Sequence, residues 1–159
     1  MTDKWFIFDL DGTLADIEAR RKLAKDTAKP GKKMNWGTFF NPANIKLDKP
    51  NHTVIKMAQV LAESDHKIAI FSGRSQGTAW ATKTWLVKHN VPFHSIRMRP
   101  TKGQDAFTPD EILKKDWFDG FADKVGKDNI LGVFDDRQKV VDMWRKNGLT
   151  CFQVAEGNF

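Results

Sequence analysis

The stretch Trp5-Phe6-Ile7-Phe8-Asp9-Leu10-Asp11-Gly12-Thr13 decides how this chain is read. Trp5 to Phe8 is a continuous apolar run with aromatic and β-branched residues, the composition of a strand buried on both faces. Two carboxylates follow it directly, and open α/β sheets place their sites at the carboxyl ends of their strands. Residues two apart on a strand point the same way, so Asp9 and Asp11 repel each other unless a cation lies between them. A divalent metal with hard oxygen ligands meets that need. Gly12 lets the backbone turn sharply or approach an anion closely, and the Thr13 hydroxyl can bond backbone or ligand. For this stretch alone, an acidic Asp-Gly turn after a strand is the alternative.

Working outward, four more segments read as buried strands: Ile68 to Phe71, His94 to Met98, Ile130 to Phe134 and Cys151 to Val154. Helical patterns lie between them. His52 to Ala62 and Ala79 to His89 are two, Pro109 to Phe121 opens with Thr108 as cap, and Gln138 to Lys146 is ended by Gly148. This alternation predicts an α/β fold with a central parallel five-stranded sheet and helices on both faces, organised as a single domain over 1–159. Residues from about 15 to 50 break the rhythm. They carry Arg20-Arg21-Lys22 and the aromatics Trp36, Phe39 and Phe40, too many large rings for a linker, and read as a small cap-like insertion beside the site.

Two further strand ends carry chemistry. The second strand is expected to end in Ser72-Gly73-Arg74, where Ser72 can donate to a phosphate oxygen and Arg74 can clasp an anion through two N–H groups. The fourth ends in Asp135-Asp136-Arg137, a second acidic pair able to complete an oxygen cage for Mg²⁺. Lys and Arg total 26 against 20 for Asp and Glu, a net charge of +6, which favours a polyanionic partner. No apolar run is long enough for a membrane span, and the single cysteine, Cys151, reads as a small buried hydrophobe. The expected location is the cytoplasm. His52, His66, His89 and His94 lack metal-ligand spacing. No Gly-x-x-x-x-Gly-Lys-Ser/Thr loop is present, so no kinase domain is expected in this chain.

Together these strand ends resemble the haloacid dehalogenase superfamily, with its Rossmann-like fold. That resemblance implies that Asp9 is the nucleophile and Asp11 the general acid/base. It also implies that Mg²⁺ is held by the Asp9 carboxylate, the Asp11 carbonyl and Asp135, with Asp136 beside it. The chain is similar, more closely, to the 3′-phosphatase domain of phage polynucleotide kinase-phosphatases. The carrying residues are Ile7 to Ala15, Ser72-Gly73-Arg74 with Gly77-Thr78, and the tail from Asp135-Asp136-Arg137 through Val140-Val141-Asp142-Met143-Trp144-Arg145 to Gly157-Asn158-Phe159. Asn158 departs from the acidic residue usual there. The likeness implies a phosphate-binding lysine at Lys114, with Lys115 as competitor, and substrate contacts from Gly12, Thr13, Arg20, Gly73, Arg74 and Arg137. It implies a Mg²⁺-dependent phosphomonoesterase working through an aspartyl-phosphate on 3′-phosphorylated nucleic-acid ends, in a phage-infected or bacterial cell. A nucleotidase acting on nucleoside monophosphates is the alternative, and a non-catalytic nucleic-acid binding protein a more remote one.

Overall fold

The computed structural model describes residues 2–159, and its centre is the segment quoted first: Trp5–Phe8 forms β1, the middle strand of a five-stranded sheet. Around it lie Lys67–Ser75 (β4), Ser95–Arg99 (β5), Ile130–Asp135 (β6) and Cys151–Gln153 (β7), in the order β5-β4-β1-β6-β7, every neighbouring pair parallel. Parallel neighbours need crossovers. These are supplied by His52–Glu63 (α3), Ala79–Lys88 (α4), Asp110–Val125 (α5) and Gln138–Lys146 (α6).

Strand alternation explains why two cores form. Phe8, Ile68 and Ile70 face a cluster that includes Val54, Ile55 and Ala58 of α3 and Trp85 and Leu86 of α4. Ile7, Ala69 and Phe71 face the opposite cluster, with Leu113, Trp117 and Phe118 of α5 and Val140, Val141 and Trp144 of α6. Both faces of the sheet are thus covered, which is why β1 and β4 read as continuous apolar runs rather than as alternating ones. Cys151 is buried in the second cluster, where burial pushes its thiol up to about 12.

The departures from the sequence reading are local. β4 runs through Ser72, Gly73 and Arg74 to Ser75, with its pairing to β5 shifting register between Ser72 and Ser75. Such a bulge re-aims side chains at a strand end. The helix α5 continues to Val125, and Thr108 does not cap it: Pro109 holds the cap position and no side chain bonds there. Gly148 follows α6 with φ +83°, the left-handed conformation expected of a glycine just past a helix end.

The insertion is a closed excursion. Ala15–Asp16 (β2) and Lys49–Pro50 (β3) pair antiparallel at its base. Between them lie Glu18–Asp26 (α1), Trp36–Phe39 (α2) and a tight turn over Pro42–Leu47. Of α1, Arg20 and Ala24 are buried, so an arginine sits where an apolar anchor would ordinarily be.

Candidate active site

Asp9 and Asp11 lie just past β1, Ser72 and Arg74 at the bulged end of β4, Asp135 and Asp136 at the end of β6, and Lys114 one turn into α5. Parallel strands put these ends on one rim of the sheet, and Asp9, Asp11, Lys114, Asp135 and Asp136 line one cleft of about 1330 Å³ there.

At its floor, Lys114 Nζ donates to Asp9 Oδ1 at 2.7 Å and to Asp135 Oδ2 at 3.2 Å, all three residues being buried. Trp144 Nε1 also donates to Asp135 Oδ2, and the amides of Asp136 and Arg137 donate to Asp135 Oδ1. Asp135 is therefore a well-satisfied buried acceptor. Asp136 is less committed, receiving the Thr13 hydroxyl at 3.4 Å while that hydroxyl also reaches Asp9 Oδ2 at 3.0 Å. Burial lifts Asp9 well above the usual carboxylate range, the nearby Asp135 charge adds to this, and Lys114 opposes it. Burial likewise raises Asp136. Burial alone would lower Lys114, yet the charges of Asp135 and Asp9 hold its ammonium above the ordinary lysine value.

Asp9, Asp135 and Asp136 each bring an oxygen within 4.8 Å of the others. Three buried carboxylates facing one ammonium leave excess negative charge, and an all-oxygen donor set of this kind fits Mg²⁺ or Mn²⁺. The Asp11 side chain stands outside this group. Gly12 has φ +82°, and a Cβ there would collide with the Asp136 carboxylate, so the turn between the two acidic pairs accepts glycine alone.

Asp11 is held differently. Arg74 donates to Asp11 Oδ1 through Nε at 2.8 Å, and Arg20 donates to the same oxygen through Nη2 at 3.2 Å. Both arginines are buried, and both turn back onto Asp48: Arg20 at 2.9 and 3.0 Å, Arg74 at 2.6 Å. Arg20 Nη1 donates to the Phe39 carbonyl at 3.2 Å and Arg74 Nη1 to the Thr82 hydroxyl at 3.2 Å. Burial raises the Asp11 pKa, but Arg74 and then Arg20 outweigh it, leaving the carboxyl below its ordinary value. Both guanidiniums thus reach the site, where they bond Asp11 and Asp48, and Arg74 also lines the cleft.

Arg137 lines the cleft, donating to the Phe159 carbonyl at 2.7 Å and to Asp110 at 3.2 Å. Ser72 is buried, its Oγ accepting the Arg74 amide at 3.1 Å. A Cβ on Gly73 would meet Asp110 Oδ1 at 2.6 Å, so a side chain there would push against the start of α5. Lys115 points away, paired with Asp119 on the outer face of α5 at 2.6 Å, which favours Lys114 as the lysine of the site. Two acids escaped the sequence reading. Asp48, buried between the arginines, carries no local pattern. Asp110 opens α5 and accepts from Arg99 and Arg137; its signal was available, because it lies one helical turn before Lys114.

A parallel sheet with an aspartate past its central strand, a lysine from a flanking helix and a closing acidic pair defines a phosphatase of the haloacid dehalogenase type. The chain belongs to a particular family of these: residues 3–159 match the family model of the polynucleotide kinase PNKP phosphatase domain. It is 34% identical over 122 residues to a candidate bifunctional polynucleotide kinase/RNA ligase of Autographa californica nuclear polyhedrosis virus, covering 74% of this chain and 17% of that protein. Among solved structures, a chain of the Pnkp1/Rnl/Hen1 RNA repair complex superposes with a TM-score of 0.75 at 29% identity, covering 99% of this chain and 44% of that one. A candidate phosphatase from Clostridium difficile shares the fold, with a TM-score of 0.67 at 15% identity over 96% of this chain and 85% of that one. The chain thus spans less than half the length of the polynucleotide-repair relatives it matches. No helix among the described residues is long and apolar enough to cross a membrane.

Proposed function

We propose that this chain is a divalent-metal-dependent phosphomonoesterase that removes 3′-phosphates from nucleic-acid ends through a phosphoryl-enzyme on Asp9. The observation that carries the reading is the convergence of Asp9, Lys114, Asp135 and Asp136 at one corner of an open cleft, with Asp11 held across from them by two arginines. In the first step an Asp9 oxygen attacks phosphorus, the bond to the ester oxygen breaks, and Asp11 gives that oxygen a proton. In the second, Asp11 takes a proton from water, the water oxygen bonds phosphorus, and the acyl-phosphate bond breaks to free Asp9 and inorganic phosphate. Lys114, the Ser72 hydroxyl and the backbone amides after Asp9 stabilise charge on the equatorial oxygens. Asp9, Asp136, Asp135 and the Asp11 carbonyl would hold Mg²⁺, Asp136 offering the least occupied carboxylate; the ion supplies charge neutralisation at the transferring phosphoryl group.

The preference for a polynucleotide rests on the family and on charge. With Arg20 and Arg74 turned inward, backbone contacts pass to Arg21 and Arg137, which line the cleft. The test compares phosphate release from a 3′-phosphorylated oligonucleotide with release from 3′- and 5′-nucleoside monophosphates. The oligonucleotide is expected to have the lower KM, with an advantage that shrinks as salt is added. Equal or faster turnover of monophosphates, indifferent to salt, would replace this substrate with the nucleotidase alternative.

A further inference from the structure

The cleft has an apolar rim that folding does not explain. Phe107, just ahead of α5, is 90% exposed, and on the insertion Trp36 is 58% and Phe40 44% exposed. All three line the same cleft as Asp9. None of the three belongs to either hydrophobic core, although their neighbour Phe39 packs against one. Large rings left in water beside a polar site mark a surface that something covers.

We propose that Trp36, Phe40 and Phe107 form a stacking rim for the nucleobases at the end of a single-stranded substrate, a role that rests on the nucleic-acid reading of the site. Rings take bases face to face and tolerate any sequence, because every base has a π-face, whereas bases inside a duplex are already stacked. The geometry on the insertion suits this. Trp36 and Phe40 lie nearly parallel, centroids 5.8 Å apart at 21°, and Phe39 buttresses both edge-on at 5.8 and 5.2 Å. The short helix that carries them is fixed by Asn35, which accepts the Thr38 amide at 3.0 Å, and by Asn44, which donates to the Thr38 carbonyl at 2.8 Å.

The rim is also tied to the chemistry. The Arg20 guanidinium lies 4.6 Å over the Phe39 ring and donates to the Phe39 carbonyl, and the same guanidinium bonds Asp11. The rings are therefore mounted on the group that positions the acid/base. The cleft offers cations for the adjoining phosphates: Arg21 pairs with Glu18 and Arg137 with Asp110, yet both line the cleft with side chains 28% and 30% exposed. Aromatic faces beside positive charge suit a single-stranded polyanion better than an apolar peptide.

The test uses two 3′-phosphorylated oligothymidylates, one complete and one lacking the terminal base, against the wild-type chain and the variants Trp36→Ala, Trp36→Phe and Phe107→Ala. In the wild type the complete end should have the lower KM. Trp36→Ala and Phe107→Ala should each shrink that preference by about tenfold, the worth of one stacked base, through KM and not kcat, and Trp36→Phe should keep most of it. Equal changes for the two ends, or none, would overturn the rim. If the wild type releases phosphate from neither oligonucleotide, the reading of the site itself fails, and stacking is then read separately by titrating a 3′-hydroxyl oligothymidylate into the protein. Quenching of tryptophan fluorescence that disappears in Trp36→Phe supports the rim, and no binding, or quenching unchanged in that variant, overturns it.

Discussion

Asp9 and Asp11 are two residues apart and are driven in opposite directions. Burial and the Asp135 charge lift Asp9, while Arg74 and Arg20 overcome burial to lower Asp11. One group faces the candidate metal site and the other is paired with cations. A consequence follows for metal binding, which needs deprotonated carboxylates. Because the Asp9 pKa is raised, its proton competes with the ion to higher pH than an ordinary carboxylate's would. Mg²⁺ affinity should therefore fall as pH falls through that raised value, with protons released on binding. Calorimetry in buffers of different ionisation enthalpy measures the release, and its absence across the acidic range would contradict the shift. Asp48 carries a second expectation. Its side chain is fully buried between Arg20 and Arg74, so Asp48→Ala leaves two buried guanidiniums short of their counter-charge. Removing one partner of a buried pair costs about 3–5 kcal/mol. Denaturant unfolding should show a loss of that order, and a loss below about 1 kcal/mol, the worth of an exposed pair, would show that the arginines do not depend on Asp48.

Among the elements, α5 decides most. It carries Leu113, Trp117 and Phe118 into the core, and that phase turns Lys114 inward to Asp9 while Lys115 faces out. Lys114→Ala should lower kcat by two or more orders of magnitude, since in the proposed mechanism the lysine meets charge that develops in the transition state. Lys115→Ala should stay within about twofold, because an exposed i,i+4 pair contributes only about 0.3–0.5 kcal/mol. Steady-state assays of the two variants check this, and the opposite ranking would move the site lysine. The same phase was present in the sequence as the Leu113, Trp117, Phe118 spacing, so the choice between the lysines could have been made there. The strand order of functions was legible too, because Asp9, Ser72 and Asp135 each follow an apolar run that only a buried strand accounts for. The inward turn of Arg20 and Arg74 was not legible. It depends on Asp48, which becomes their neighbour only when β2 and β3 close the insertion. The bulge in β4 was hidden for a similar reason, since Gly73 and Arg74 look like a turn until the pairing with β5 is seen.

At the scale of the whole molecule, the net charge of +6 understates the basic surface, because five acids, Asp9, Asp11, Asp48, Asp135 and Asp136, are gathered in one site with only three bases, Arg20, Arg74 and Lys114. The basic surface attracts a polyanion, while the acids that line the cleft repel it unless a metal is bound. The sheet supplies the rim on which these groups meet, and the insertion supplies both the arginine that holds Asp11 and the rings around the cleft. Everything converges on Asp9 becoming phosphorylated. The most direct measurement is an acid quench of the protein during turnover of an oligonucleotide carrying a radiolabelled 3′-phosphate with Mg²⁺ present. Label should appear on the protein, be released by hydroxylamine as an acyl-phosphate is, map to the peptide containing Asp9, and be absent from Asp9→Asn, which should also lose nearly all turnover. Rapid phosphate release with no label on the protein, or undiminished turnover by Asp9→Asn, would contradict the account.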